Sequence, residues 1–480
     1  MTGVYADNQP DFTWLKPQEE KTFTQYFMPY KHVGRVKNAT KDAAVNIELA
    51  GGILRIKAYA SGKHAQVTIQ VTQGENVLFT DTAPLSPVEI YDGTFPTDLE
   101  TLSGCSVSIK DADGALLVSY TEKEPELTPT PEPADPLLPP EQLKSTEELY
   151  LGGLHLEQYR HATFAPEDYY LEGLKRDPSD IRLNNAYGLL LYRRGCFEES
   201  IPYFRKAIEK QTWKNPNPYH GECYYNLGLA LHMTDQDDEA FDAFYKATWS
   251  YENQSSGYYW LACLSCRKGD YQAALGFIEQ SMIRNWHNMK ARTLKAAILR
   301  ALKKDTALLL SESADIDPLD MGIRYEKALA SGDMAGWKQT MRQPAHNYLE
   351  LSLDYMKAGF YEDALAILSS CEDGSPMISY YQGYAHEKSG DTALAASFYQ
   401  KGEEACSDCC FPNRTEEVVI LSSAIKALSK APRAHYYLGC LFYDKKQYET
   451  AKDHWLTSVS EDPEFAMAHR NLAIAYYNKE

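Results

Sequence analysis

The stretch ECYYNLGLALHMTDQDDEAFDAFYKA, residues 222–247, decides the fold. Tyr224, Leu227, Gly228 and Leu231 fall at i, i+3, i+4 and i+7, which is one face of a helix. After a polar break, Ala240, Phe244 and Ala247 mark the apolar stripe of a second helix. Gly228 lets that helix approach, the two alanines admit close contact, and Phe244 fills the remaining space. Neither helix can bury its stripe alone, so the pair needs neighbours of its own kind.

Such neighbours lie on both sides. Leu-Gly-Cys at 438–440 is followed by Ala451, Trp455 and Pro463, and the spacings Gly228 to Ala262, Leu154 to Gly188 and Gly439 to Ala473 are each 34 residues. Gly188 to Gly228 is longer, at 40. A unit of about 34 residues holds two three-turn helices and two short turns. The turns read Arg194-Gly195, Lys268-Gly269-Asp270, Ala358-Gly359 and Ser389-Gly390-Asp391, with glycine as the left-handed cap. Pro178, Pro318 and Pro463 then stop the second helix before the next unit.

This pattern resembles the tetratricopeptide repeat, over about two thirds of the chain. Units are expected to begin near Glu147, Ile181, Gly221, Ser255, Asn288, Ala345, Pro376, Pro432 and Ala466, with a degenerate hairpin around Met321–Met341. The fifth unit departs most, because Lys295 stands where the small residue should be. The chain ends at Glu480 one helix into the last unit, and a solenoid normally closes with a polar cap, so the chain is expected to be part of a longer protein.

From Ala43 to Tyr120 the apolar period falls to two. Val45, Ile47 and Leu49 alternate with polar residues, as do Leu54 and Ile56, then Val67, Ile69 and Val71, then Val107 and Ile109, then Leu116, Val118 and Tyr120. Six or seven short strands separated by Gly-containing turns predict an immunoglobulin-like sandwich. Upstream, Leu15-Lys16-Pro17-Gln18-Glu19 resembles the step into the last strand of a galactose-mutarotase-like supersandwich, as in a bacterial family associated with carbohydrate use. Seven prolines between Glu122 and Pro140 predict an extended spacer. The expected fold is thus multidomain and mainly α: closing strands of a truncated supersandwich at 1–36, an Ig-like sandwich at 37–122, a Pro-rich linker at 123–143 and a tetratricopeptide-type α-solenoid at 144–480.

Bulk composition narrows the function. Asp and Glu number 67 against 48 Lys and Arg, a formal net charge of −19, and no basic run exceeds two residues, which argues against nucleic acid. No apolar run approaches the roughly 20 residues of a membrane span, and no basic-then-apolar leader opens the chain, so a cytoplasmic location is expected. Ten scattered cysteines fit a reduced compartment.

Candidate chemistry is sparse. Cys263 and Cys266 read as small buried residues of a repeat helix, and Cys406, Cys409 and Cys410 as a loop without the second pair that zinc requires. The histidines are isolated, and adjacent carboxylates such as Asp237-Asp238 point about 100° apart on a helix. No catalytic residue, cofactor or metal site is expected. Tyrosine is more suggestive, outnumbering phenylalanine by 35 to 16. Tyr192, Tyr225, Tyr259, Tyr381, Tyr437 and Tyr443, with Trp260 and Asn226, are the candidate residues of a ligand groove on the first helices. The chaperone-binding clamp of some tetratricopeptide proteins is matched only by Asn226 and Asn471, since Ala186 and Trp260 replace its asparagine elsewhere. The expected function is a non-catalytic scaffold that holds a partner peptide or domain. The alternative is an accessory part, for substrate capture or oligomerisation, of a longer carbohydrate-binding or carbohydrate-processing protein.

Overall fold

The computed structural model describes residues 20, 22, 24–123, 136–159 and 163–478. It divides into two units, Met1–Pro136 and Leu137–Glu480, each with its own core. The Leu15–Glu19 step and most of the Pro-rich segment lie outside the described residues.

The first unit is all β. Its strands are β1 (Asn38–Ala39), β2 (Ala43–Ala50), β3 (Ile53–Ala60), β4 (His64–Gln73), β5 (Asn76–Leu85), β6 (Tyr91–Pro96), β7 (Cys105–Asp111) and β8 (Leu116–Thr121). They form two antiparallel sheets, ordered β1-β2-β3-β6 and β5-β4-β7-β8. Val45, Ile47 and Ile56 from one sheet share a single buried cluster with Val67, Ile69, Val107 and Ile109 from the other. The apolar alternation therefore does mark the inner faces. Three strands escaped it, because β1, β5 and β6 are edge strands whose side chains are mostly exposed or half-buried. One register also differs from expectation. A bulge between Ile109 and Lys110 shifts β8, so Leu117 and Val118 are buried while Leu116 is 55% exposed.

The second unit is helical. Paired helices run α1 (Thr146–Gln158) with α2 (Pro166–Arg176), α3 (Ile181–Arg193) with α4 (Phe197–Thr212), α5 (Glu222–Met233) with α6 (Asp237–Ala247), and α7 (Gln254–Arg267) with α8 (Tyr271–Arg284). They continue with α9 (Met289–Ala301) and α10 (Ala307–Ile316), α11 (Met321–Ser331) and α12 (Met334–Met341), α13 (Ala345–Lys357) and α14 (Tyr361–Ser369), and α15 (Pro376–Lys388) and α16 (Thr392–Glu404). A single helix, α17 (Glu416–Ala427), precedes α18 (Pro432–Asp444), α19 (Tyr448–Glu461) and α20 (Ala466–Tyr477).

The repeat's small residue has a visible purpose. A Cβ on Gly228 would sit 2.7 Å from the Phe244 ring, and one on Gly439 would sit 2.5 Å from the Trp455 indole. Each aromatic therefore rests on bare backbone across its own pair, and Phe244 also stacks on Trp260 of the next unit at 5.4 Å. Gly195, Gly269, Gly359 and Gly390 take positive φ in the turns, and Asp235, Lys303 and Lys446 take the same conformation where glycine is missing. In the fifth unit the expectation for Lys295 is corrected: the buried Ala296 holds the small position, seven residues before the left-handed Lys303 as Gly228 is before Asp235, and Lys295 beside it pairs with Glu279 at 3.0 Å.

Helix α17 had no counterpart in the sequence reading. Ile420, Leu421 and Ala424 are buried, Glu416 pairs with Lys357 of α13 at 3.0 Å, and the fully buried Glu417 accepts from the Tyr381 hydroxyl at 2.9 Å. A Cβ added to Gly195 would lie 3.1 Å from Val418. The helix thus ties the α3–α4 turn to α13 and α15. Further cross-ties are Lys388 with Asp235 at 2.7 Å and the Tyr271 ring stacked on Phe360 at 5.8 Å.

Candidate ligand groove

First helices carry the candidate groove, and register decides what each of their residues faces. Counting from the small residue, Asn226, Trp260, Tyr381 and Tyr437 occupy one equivalent position, two residues before Gly228, Ala262, Gly383 and Gly439. That position points into the neighbouring pair. Asn226 is buried and donates to Asn185 Oδ1 at 3.0 Å, and half-buried Trp260 covers Phe244 and His232. Tyr381 and Tyr437 have 0% exposure. Their expected place in a groove is therefore corrected: both are core residues, Tyr381 holding Glu417 and Tyr437 packing edge-on against Tyr380 at 6.0 Å.

The remaining tyrosines are spread out. Half-buried Tyr192 packs on Phe197 at 5.4 Å, and Tyr225 packs on Phe244 at 5.7 Å. Tyr443 lies at the far end between Tyr448 and Trp455, accepting from Asn478 at 3.2 Å. Burial raises the Tyr192 and Tyr225 phenols above their ordinary range. Tyr443 lines an open hollow of about 600 Å³ at the α18–α20 end, and Tyr259 opens onto a cavity between first helices.

That cavity, of about 320 Å³, is walled by four consecutive first helices: α7, α9, α11 and α13. Leu294, Ala297 and Leu351 form an apolar floor with Met321 and Phe360. Its rim is charged. Lys290 Nζ sits 3.0 Å from Asp354 and 3.9 Å from Glu350. Arg414, from the loop leading into α17, reaches Glu350 at 3.6 Å and Glu417 at 3.5 Å. Its guanidinium also donates to His346 Nδ1 at 3.2 Å, so that ring nitrogen carries no proton. Burial raises the Asp354 carboxyl above the usual range, against the pull of Lys290 and Lys357. Burial acts in the same sense on Glu416, but Lys357 outweighs it and lowers that carboxyl.

Lys290, His346, Glu350, Asp354 and Arg414 were not among the residues singled out in the sequence. A signal existed for α13, where Glu350, Asp354 and Lys357 follow one another at i, i+4 and i+7 beside apolar neighbours. No signal marked Arg414, which reaches the cavity only because α17 folds onto the array. The cysteines are all free, with Cys263 and Cys266 buried and Cys406 and Cys409 exposed. Among the described residues no group of three or more His, Cys, Asp or Glu could hold a metal ion, and no helix is long and apolar enough to cross a membrane.

Tetratricopeptide-repeat models match residues 180–253 and 349–408. The helical unit carries tetratricopeptide repeats. Residues 38–120 match the second domain of YphG-like proteins, which covers the β unit from β1 into β8. Among solved structures, the MamA protein aligns at 19% identity over 36% of this chain and 92% of its own, with a TM-score of 0.32. A tetratricopeptide repeat protein from Parabacteroides merdae ATCC 43184 aligns at 14% identity over 59% and 98%, with a TM-score of 0.35. YrrB, described as a TPR protein with an unusual peptide-binding site, aligns at 13% over 54% and 98%, with a TM-score of 0.24.

Proposed function

We propose that this protein is a non-catalytic interaction scaffold whose repeats hold a segment of a partner protein in the cavity between α7, α9, α11 and α13. One observation carries the reading: four consecutive first helices turn apolar side chains and a charged rim into a single concave space of about 320 Å³. That size falls at the lower end for binding pockets, and its mix of apolar floor and few polar groups is that of a recognition site. Tyr259 contributes an aromatic wall, so of the tyrosines singled out in the sequence it is the one assigned to the ligand.

The test is selection of random dodecapeptides on the full-length chain. Binders should be lost on His346→Trp, which places a bulky ring at an exposed residue lining the cavity. They should be retained on Tyr443→Ala, at the far end of the array. Equal binding to wild type and His346→Trp, with unchanged helicity, would overturn the assignment.

A further inference from the structure

The rim of this cavity is short of positive charge. Lys290 is shared between Asp354 and Glu350, and Arg414 between Glu350 and Glu417. Lys357, the next cation along α13, is taken by Glu416. Each cation is therefore already committed, and an incoming anion would have to break an existing pair. An incoming cation would instead meet carboxylates that share their counter-ions. Asp354 has only 17% of its side chain exposed and pairs at 3.0 Å with the half-exposed Lys290, with Lys357 acting on it from further off while bonded to Glu416, a partial neutralisation for a desolvated carboxylate.

Below the rim, Leu294, Ala297 and Leu351 offer a floor suited to a methylene stem. Lysine and arginine bury such stems while keeping the charged head among polar groups. Resting on the scaffold reading above, we propose that the cavity selects a partner segment carrying a lysine or arginine, its stem on the apolar floor and its head between Glu350 and Asp354. The chain's net charge of −19 favours approach of a basic partner over an acidic one.

The experiment uses the full chain and acetylated, amidated peptide libraries with the central residue fixed as Lys, Arg, norleucine or Glu, read by fluorescence anisotropy. Lys- and Arg-centred pools should bind about tenfold tighter than norleucine, as expected for a charge-assisted contact, and Glu should bind weakest. Glu350→Gln and Asp354→Asn should each erase most of that preference while leaving norleucine binding and the melting curve in place. Glu350 is 64% exposed, so its variant keeps the test informative if Asp354→Asn melts early.

Norleucine peptides that bind as well as lysine peptides, and still depend on His346, would overturn this proposal and leave the scaffold reading standing. If no pool binds, the scaffold reading fails and takes the proposal with it. Butylammonium that binds as tightly as the lysine peptides would assign the cavity to a free small cation and overturn the proposal as well.

Discussion

The third unit and the fifth solve the same packing problem by different chemistry. In the third, Phe244 lies on bare Gly228 backbone and stacks on Trp260, and the Asp237–Arg267 pair at 3.0 Å joins α6 to α7 as well. In the fifth, the small residue is Ala296, packed with Leu310 and Ile323, and cohesion with the following helices comes also from Arg300, which pairs with Glu326 through two contacts of 3.0 Å and with Asp363 at 3.0 Å. Tyr355 donates to the same Glu326 at 2.8 Å. Apolar units close tightly, whereas the polar seam leaves room, and the cavity lies where α9 and α11 pass Tyr355. A break in local regularity is where function is most to be expected in a repeat array.

The comparison breaks most visibly at Phe244. Its side chain has 0% exposure, so Phe244→Ala should cost about 3–5 kcal/mol by cavity formation. Urea titration of the full chain, followed by circular dichroism, measures it. A silent variant would mean that the aromatic seam is not what holds the regular units.

Glu326→Gln tests the polar seam. The carboxylate is 2% exposed and receives Arg300 and Tyr355, so losing its charge should cost about 1.5–3 kcal/mol, the range for hydrogen bonds to charged groups. The loss should appear around the cavity as faster amide exchange in α11 and α13, with α5 and α6 unchanged. Equal acceleration in both places would show that the two seams are one cooperative structure.

Acid probes a third kind of seam. His435 and His454 face each other through their Nδ1 atoms at 2.9 Å, so one ring donates and the other accepts, and both can be neutral. Burial, with His435 beside it, pushes His454 down to about 4, and burial also lowers His435. A histidine whose folded value is lowered contributes its full stability above its unfolded value of about 6.5 and loses it as pH falls toward the folded value. The unit formed by α18 and α19 should therefore weaken between pH 6.5 and about 4, by about 2 kcal/mol at pH 5. His454→Phe, packed against Phe442, should flatten that slope in melts taken across the window.

How far the sequence was legible follows from the same contrast. Glycine before an aromatic at helix spacing is a local signal, so the third and ninth units were placed within a residue or two of their helices. Helix α17 carries no such pair: it packs on α18, which follows it, and on α15 without a glycine facing an aromatic. The groove suffered most. Tyrosine identity was readable, but whether Tyr381 faces a ligand or the next unit depends on counting from Gly383, and that count puts it with Asn226 in the core. Arg414 meets the cavity through folding-back that no local pattern encodes.

The smallest expected effect sharpens the comparison most. Lys295 stands one residue before the small Ala296, where the third unit has Leu227 one residue before Gly228. Were the fifth unit built the same way, an apolar contact would be wanted there, and replacing the lysine by a smaller apolar residue would stabilise the protein. In the structure Lys295 bonds only to Glu279, whose side chain is 49% exposed, and pairs of that kind contribute about 0–1 kcal/mol. Lys295→Ala should therefore shift stability by about 0.5 kcal/mol or less in urea titration. A gain well above 1 kcal/mol on trimming Lys295 would show that an apolar contact is wanted there, and the polar seam would then be an apolar one.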